Sequence, residues 1–169
     1  MQILIEKTEI TDISVDAVVN PANSQGSMQA GIPGALRRVG GDDIQREAMS
    51  VAPIAVGAAF VTKAGNLPAK HVIHAPTAAE PGGKVGAEHI RRAARAALIA
   101  ANAKGFLRVA FPSMGTDEGG LDAAEAARAI VEEIRAHKRT YPETVYLVDP
   151  SQEMVDAFEL ALQNAQFGL

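Results

Sequence analysis

Residues 18–23, Val-Val-Asn-Pro-Ala-Asn, constrain the fold of this chain more than any other segment. Two β-branched residues followed by polar ones indicate the end of a buried strand. A glycine-bearing loop follows and then Pro33, a residue type favoured in the first turn of a helix. In an open α/β sheet, ligands bind outside the carboxyl ends of the strands. Because a helix N-terminus there presents free N–H groups, this segment predicts a site for a nucleotide or another phosphate-bearing ligand.

The composition permits a folded domain with a substantial core. The chain has 169 residues, of which 47% are hydrophobic and 21% charged, so we expect one domain over residues 1–169. A net charge of -4 gives no overall attraction to nucleic acid or anionic lipid. The absence of cysteine excludes disulfides, thiolate zinc sites and cysteine nucleophiles. Without a signal-peptide pattern or an apolar run near the roughly 20 residues of a membrane span, we expect a cytoplasmic protein.

Alternating strand and helix patterns predict an α/β fold. Six strands are predicted at residues 2–7, 17–20, 57–63, 72–75, 109–113 and 144–149. Five helices are predicted at residues 33–39, 42–51, 86–103 and 122–139 and after Ser151. This order predicts a three-layer α/β/α fold around a mixed, mainly parallel six-stranded sheet.

Three helix starts have recognisable caps in the sequence. Asp42 with Gln45, and Asp122 with Glu125, have the spacing of capping boxes. Ser151 is predicted to be the N-cap of the last helix.

A second predicted strand ends in a loop of the same kind. Residues 114–120, Met-Gly-Thr-Asp-Glu-Gly-Gly, follow the strand at 109–113. Three glycines allow the N–H groups of this loop to turn toward an anion. Two such loops at one edge of the sheet would form the walls of a single cleft. Composition leaves the alternative that both are ordinary turns, since Gly and Ser are common there.

Several of these segments resemble motifs of the macro domain family. Residues 15–23 are similar to that family's signature, in which a strand ends in Asn-Ala-Ala-Asn. Gly31-Ile32 is similar to the end of its Gly-Gly-Gly-Val motif, and Ser113-Met-Gly115 to its Ser-Thr-Gly. Further similar segments are residues 8–11, 39–41, 66–69 and 72–76. The resemblance covers nearly the whole chain and follows the order of the predicted strands and helices.

The resemblance implies that ADP-ribose binds between the two loops. It implies that Glu9 accepts a hydrogen bond from the adenine amino group, with the backbone N–H of Ile10 beside it. Asn23 would reach the hydroxyls of the distal ribose. The implied diphosphate-binding residues are Gly31, Ile32, Pro33, Gly34, Ser113, Met114, Gly115, Thr116, Asp117 and Glu118. For Glu9 a solvated strand-end charge remains an alternative, and Asn20 is expected to tie the loop backbone together rather than touch ligand.

Five positions differ from the hydrolytic members of the family. Gln29 and Ala30 replace the first glycines of the triplet. Pro33 stands where the de-ADP-ribosylating branch has its catalytic aspartate, which removes a general acid or base. Asp117 and Glu118 replace an aromatic residue and a glycine, and carboxylates near a diphosphate are unfavourable unless they point outward or bind ribose hydroxyls.

Three functions therefore stay open, with ADP-ribose binding the leading hypothesis. The second is a hydrolase of ADP-ribosyl esters or of ADP-ribose 1''-phosphate, with Asn23 orienting substrate and water. Asp122 is its other catalytic candidate: Gly-Leu-Asp at 120–122 resembles the branch that removes ADP-ribose from acidic side chains. That branch pairs the aspartate with a lysine, which the strand at 72–75 lacks, and the role of a helix N-cap is the favoured explanation of Asp122. The third is a non-catalytic RNA-binding or scaffold module.

The sequence predicts no metal site and no resident cofactor. His71 and His74 are three apart in a strand, so their side chains face opposite sides and would not chelate one metal. The arginines at 91, 92 and 95 are interpreted as a solvated helix face. The expected partner is ADP-ribose or an ADP-ribosylated molecule, and the oligomeric state stays open.

Overall fold

The computed structural model of the chain describes residues 1–117 and 119–166. Glu118, one of the predicted diphosphate-binding residues, lies outside the described residues. The strands are β1 (Gln2–Glu6), β2 (Ala17–Asn23), β3 (Phe60–Lys63), β4 (His71–Ala78), β5 (Arg108–Phe111) and β6 (Thr144–Val148). The helices are α1 (Gly31–Gly40), α2 (Asp42–Val51), α3 (Ala87–Lys104), α4 (Ala123–Ala136) and α5 (Gln152–Gln166).

The strands form one sheet in the order β1-β6-β5-β2-β4-β3. Four of its five pairings are parallel, and only β3 runs antiparallel, against β4. The prediction of a mixed, mainly parallel six-stranded sheet is confirmed. Because β1, β2, β4, β5 and β6 are parallel, their carboxyl ends meet at one edge of the sheet.

The helices cover both faces of this sheet. Neighbouring strand residues alternate between two apolar cores, as Val18 and Val19 do in β2. Val19 packs in a core with α3, α4 and α5, whereas Val18 packs in a core with Leu36 of α1 and Ile44 of α2. The three-layer α/β/α prediction is therefore confirmed. Within the described ranges, no helix has the length and hydrophobicity needed to span a bilayer.

Strand β2 runs further than the sequence predicts and includes Pro21. The predicted strand ended at Asn20, one residue before this proline, which has no N–H for a sheet ladder. In the structure β5 pairs with β2 only at Ala17 and Val18, so beyond that point β2 pairs with β4 alone. Pro21 therefore lies where the strand has a described neighbour on one side only. Strand β2 continues to Asn23, which lies at the carboxyl edge of the sheet.

Both predicted capping boxes are wrong. Neither Gly41, the N-cap of α2, nor Asp122, the N-cap of α4, makes a side-chain capping bond. Gln45 instead accepts a hydrogen bond from the backbone N–H of Met28 at 2.7 Å, which ties α2 to the loop before α1. The cap at Ser151 is confirmed, since its Oγ accepts the Met154 N–H at 3.2 Å.

Two other details of the helices differ from expectation. Helix α4 ends at Ala136, before the basic residues that were predicted to close it. The arginines of α3 are exposed or half-exposed, and two of them also form ion pairs that the sequence did not predict: Arg91 pairs with Glu132 and Arg95 with Glu133, both in α4. The charged groups thus bridge two helices whose alanine-rich surfaces pack closely.

A pair of isoleucine substitutions tests the packing of these helices. Ile130 on α4 is fully buried, whereas Ile99 on α3 is 57% exposed. We expect Ile130→Ala to lower the free energy of unfolding by about 2–5 kcal/mol, because it leaves a cavity. The control Ile99→Ala should change it by no more than about 0.5 kcal/mol. Urea unfolding of both variants measures the difference, and equal effects would contradict the assigned packing.

Candidate functional site

Two adjoining cavities lie at the carboxyl edge of the sheet. The first, of about 340 Å³, lies among the loops that follow β2, β4 and β5. The second, of about 570 Å³, lies among the segments that follow β1, β5 and β6 and the start of α1. They share five lining residues, Gly31, Ile32, Ser113, Thr116 and Asp117, and therefore form one continuous cleft. Residues of both glycine-bearing loops thus line the same cleft.

The start of α1 forms one wall of this cleft. Its N-cap, Ala30, makes no side-chain capping bond, and the first turn contains no acidic residue. Helix geometry leaves the N–H groups of Gly31 and Ile32 without an acceptor inside α1. Pro33 has no N–H, and Gly34 donates to the carbonyl oxygen of Ala30 at 3.1 Å. Among the described residues, the N–H groups of Gly31 and Ile32 therefore remain as donors for an anion at this wall. Gly34, although predicted to bind, does not line either cavity.

The loop after β5 forms the opposite wall. Gly115 has a φ of +81°, and a Cβ there would lie 2.7 Å from Val85 Cγ2 and 2.8 Å from Ile90 Cδ1. Only glycine fits this conformation and this contact. Met114, a predicted binding residue, is fully buried in the core with Ile90 and does not line the cleft. Its neighbours Ser113, Gly115, Thr116 and Asp117 do line it.

A chain of hydroxyl groups joins this loop to the end of β6. Thr116 Oγ1 donates to Ser113 Oγ at 3.2 Å, and Ser113 Oγ donates to Asp149 Oδ1 at 3.2 Å. The other carboxylate oxygen of Asp149 accepts from the backbone N–H of Ser151 at 2.9 Å and from its hydroxyl at 2.7 Å. Asp149 therefore fixes both the second loop and the start of α5. Asp149 was not predicted as a site residue, although it is the last residue of the strand predicted at 144–149.

Asn23 lines the first cavity from the end of β2. Its Nδ2 donates to the carbonyl oxygen and to the hydroxyl oxygen of Ser27, each at 3.0 Å. Its Oδ1 accepts the backbone N–H of Gln25 at 2.9 Å. The amide group is thus held in one orientation by its own loop, at the edge of the cavity.

Glu9 and Ile10 line the second cavity, at the other end of the cleft. The side chain of Ile10 is buried in the core around α1, and Glu9 is exposed. Asp122 also lines this second cavity and not the first, so it lies at the opposite end from Asn23. The two catalytic candidates of the sequence analysis are therefore not neighbours.

Asp117 extends into the middle of the cleft, where the two walls approach each other. One of its carboxylate oxygens lies 3.1 Å from the position that a Cβ on Gly31 would occupy. This exposed side chain lines both cavities. A carboxylate at this position faces any group held between the two walls.

Asn20 lies beneath the cleft and bonds a histidine rather than the loop backbone. Its Nδ2 lies 3.0 Å from His74 Nδ1, and His74 Nε2 lies 2.9 Å from Thr62 Oγ1. Because the Thr62 hydroxyl donates to the carbonyl oxygen of Lys63, it accepts from Nε2–H, and Nδ1 accepts from Asn20. This arrangement ties β2, β4 and β3 together. The expectation that Asn20 organises the loop is therefore corrected, because β2 continues past it.

His71 and His74, which were predicted not to chelate one metal, have other contacts in the structure. His71 stacks on Phe106 with ring centroids 4.9 Å apart, and His74 is buried with Asn20. Among residues 1–117 and 119–166, no group of three His, Cys, Asp or Glu side chains is arranged to hold a metal ion.

Comparison with known proteins agrees with this architecture. A family model described as Macro domain matches residues 19–130. An "Uncharacterized protein" of Aquifex aeolicus is 48% identical over 162 residues, which cover 96% of this chain and 98% of that protein. The O-acetyl-ADP-ribose deacetylase of Citrobacter rodentium is 33% identical over 161 residues, which cover 91% of each chain.

A solved structure has the same fold. The Trypanosoma brucei macrodomain in complex with ADP-ribose matches with a TM-score of 0.84 and 24% identity, over 95% of this chain and 69% of that one. The chain therefore belongs to the macro domain family.

The buried histidine beneath the site makes the stability of the fold depend on pH. Burial lowers the pKa of His74 from 6.5 to about 4. Between these values the unfolded chain binds a proton that the folded protein does not, so stability is full above pH 6.5 and falls toward pH 4. We expect this group to remove about 2 kcal/mol from the free energy of unfolding between about pH 7 and pH 5.

Urea unfolding of the wild type and of His74→Gln at both pH values measures this contribution. Glutamine retains an acceptor for Asn20 and a donor for Thr62 but does not titrate. The variant should lose less stability than the wild type over this range. An equal loss in both proteins would contradict the role assigned to His74.

Proposed function

We propose that this macro domain protein binds ADP-ribose along the whole cleft. The adenosine lies in the second cavity, the diphosphate between the two loops, and the distal ribose in the first cavity. The observation that supports this most is the meeting of the α1 N-terminus and the Gly115 loop at five shared lining residues. The Trypanosoma brucei macrodomain, which shares the fold, has been solved in complex with ADP-ribose.

The size of the cleft agrees with a ligand of this length. Cavities of about 340 and 570 Å³ fall within the usual range for small-molecule sites. Their shared residues lie in the middle, where the diphosphate of ADP-ribose would lie between its two nucleoside-like ends.

The diphosphate would be held by backbone groups. The N–H groups of Gly31 and Ile32 lie at the positive end of the α1 dipole, which attracts an anion. The hydroxyls of Ser113 and Thr116 line both cavities beside them. Hydroxyl groups and backbone amides bind phosphate without a cationic side chain.

The two ends of the ligand would be recognised by different groups. At the adenosine end, the Glu9 carboxylate accepts from the adenine amino group and the Ile10 N–H donates beside it. At the distal end, the Asn23 amide both donates to and accepts from ribose hydroxyls. Binding there requires Asn23 to exchange a contact with Ser27 or Gln25 for one with the ligand.

Isothermal titration calorimetry tests the binding. We expect a Kd for ADP-ribose in the micromolar range, about 1–100 μM. The variant Ile32→Asp places a carboxylate beside the two free amides, and we expect it to weaken binding at least about tenfold. The helix should tolerate the change, because an acidic residue in the first turn suits the dipole.

Ala124→Asp is the matched control, because Ala124 occupies the same second position in α4 and lines neither cavity. We expect it to change the Kd by less than about threefold. If the wild type gives neither heat nor a thermal shift at millimolar ADP-ribose, the proposed function is wrong.

A second candidate function is hydrolysis of an ester on the distal ribose. The name of the relative from Citrobacter rodentium, an O-acetyl-ADP-ribose deacetylase, favours this activity. Asn23 lies at that end of the cleft and would orient the ester and a water. Pro33 supplies no acid or base, and Asp122 lies at the adenosine end, so the proposal depends on Asn23 and the loop backbone.

Turnover of O-acetyl-ADP-ribose tests this second function. We expect Asn23→Ala to lower kcat/KM at least about 100-fold, because the orienting amide is lost. Ser27→Ala is the control, since it removes one contact of Asn23 but leaves the amide in place. We expect it to keep turnover within about tenfold of the wild type. Full activity in Asn23→Ala would show that Asn23 has no such role.

A further inference from the structure

We infer that the cleft selects its ligands by charge: it accepts the diphosphate of ADP-ribose and disfavours ligands with any further phosphate. This inference rests on the proposed function, since it concerns which ADP-ribose derivatives enter the same site. It follows from the charges that line the cleft and from the groups available to bind an anion.

Every charged side chain among the described lining residues is a carboxylate. These side chains are Glu9, Glu80, Asp117, Asp122, Asp149 and Glu153. The described lining residues include no lysine, arginine or histidine. Lys84 does approach the second loop, with Nζ 3.3 Å from the position of a Cβ on Gly120, but neither of these residues lines either cavity. An anion in the cleft therefore meets a field of like charge.

Two of the helix N-termini at the cleft already have carboxylates of their own. Asp149 accepts the Ser151 N–H and hydroxyl at the start of α5, and Glu153 lies in its first turn. Asp122 is the N-cap residue of α4, and Glu125 lies in its first turn. These groups offset the positive ends of the α4 and α5 dipoles. The first turn of α1 has no acidic residue and its N-cap makes no side-chain bond, so α1 is the helix end that we assign to a ligand phosphate, although Asp117 of the second loop approaches Gly31.

The distal end of the cleft adds a further negative charge. Glu80 lines the first cavity and accepts a hydrogen bond from Gln25 Nε2 at 2.6 Å, so that its carboxylate is held near the loop of Asn23. Asp117 faces the same cavity from the second loop. A phosphate monoester on the distal ribose would bring nearly two negative charges close to both carboxylates. An uncharged substituent there would meet no such repulsion.

Calorimetry with ADP-ribose and ADP-ribose 1''-phosphate tests the inference. At about 50 mM salt we expect the 1''-phosphate to bind at least about tenfold more weakly than ADP-ribose. At about 500 mM salt the ratio of the two Kd values should decrease, because salt screens the repulsion. The affinity for ADP-ribose itself should not fall with salt, whereas a site built from lysine or arginine weakens steeply.

A charge-neutral variant separates repulsion from lack of space. Glu80→Gln keeps the size of the side chain. We expect it to reduce the ratio of the Kd for the 1''-phosphate to the Kd for ADP-ribose at least about threefold at low salt. The control Glu143→Gln makes the same charge change next to Thr144, at the amino end of β6, and should leave the ratio unchanged.

The outcomes distinguish a failure of charge selection from a failure of the proposed function. If ADP-ribose binds and the 1''-phosphate binds equally well, charge selection is overturned while the proposed function stands. If the 1''-phosphate binds weakly at every salt concentration and Glu80→Gln changes nothing, the discrimination is steric and charge selection is again overturned. If ADP-ribose does not bind, the proposed function is overturned, and the inference with it.

Discussion

The parallel pairing of β2 with β4 and β5 is the constraint on which the site depends. It brings the loops after these strands to one edge of the sheet, so that residues far apart in the chain line the same cleft. The buried Asn20–His74–Thr62 contacts hold β2, β4 and β3 in this relation directly beneath the site. Both ring nitrogens of His74 have hydrogen-bond partners here, which favours this register of the strands, whereas Asn20 Oδ1 is buried without a partner among the described residues.

The proposed site separates two tasks, attraction of an anion and positioning of the loops, that many phosphate sites combine. In the proposed site, attraction to an anion would come from backbone N–H groups at the α1 N-terminus, whose positions are set by the fold. The charged side chains around it are carboxylates, and these hold loops and helix ends in place, as Asp149 does for the second loop. The geometry of the backbone therefore supplies the affinity of the proposed site, and the side chains restrict which charges it admits. This division also explains how a chain with a net charge of -4 would bind a diphosphate.

The fold was predictable to the level of its layers because apolar periodicity is a local property. The alternation of Val18 and Val19 between two cores follows directly from a strand that is buried on both faces. Membership of the macro domain family was predictable because several short motifs occur in the correct order. Local rules failed where a distant partner competed for a group. Gln45 bonds the Met28 backbone instead of capping its own helix, and Pro21 continues a strand because β5 has already ended.

By itself, the sequence determined the order of strands and helices, the two glycine-bearing loops and the residue types that follow each strand. These features depend on residues that are close together in the chain, so the sequence is sufficient to predict them. Only the tertiary structure decided which of these residues meet. In the folded protein, Asp117 lies against Gly31, and Glu80 and Asp149 line the cleft. Met114, by contrast, is buried in the core. Such contacts depend on strand register and helix packing between segments many residues apart, and no local pattern encodes them.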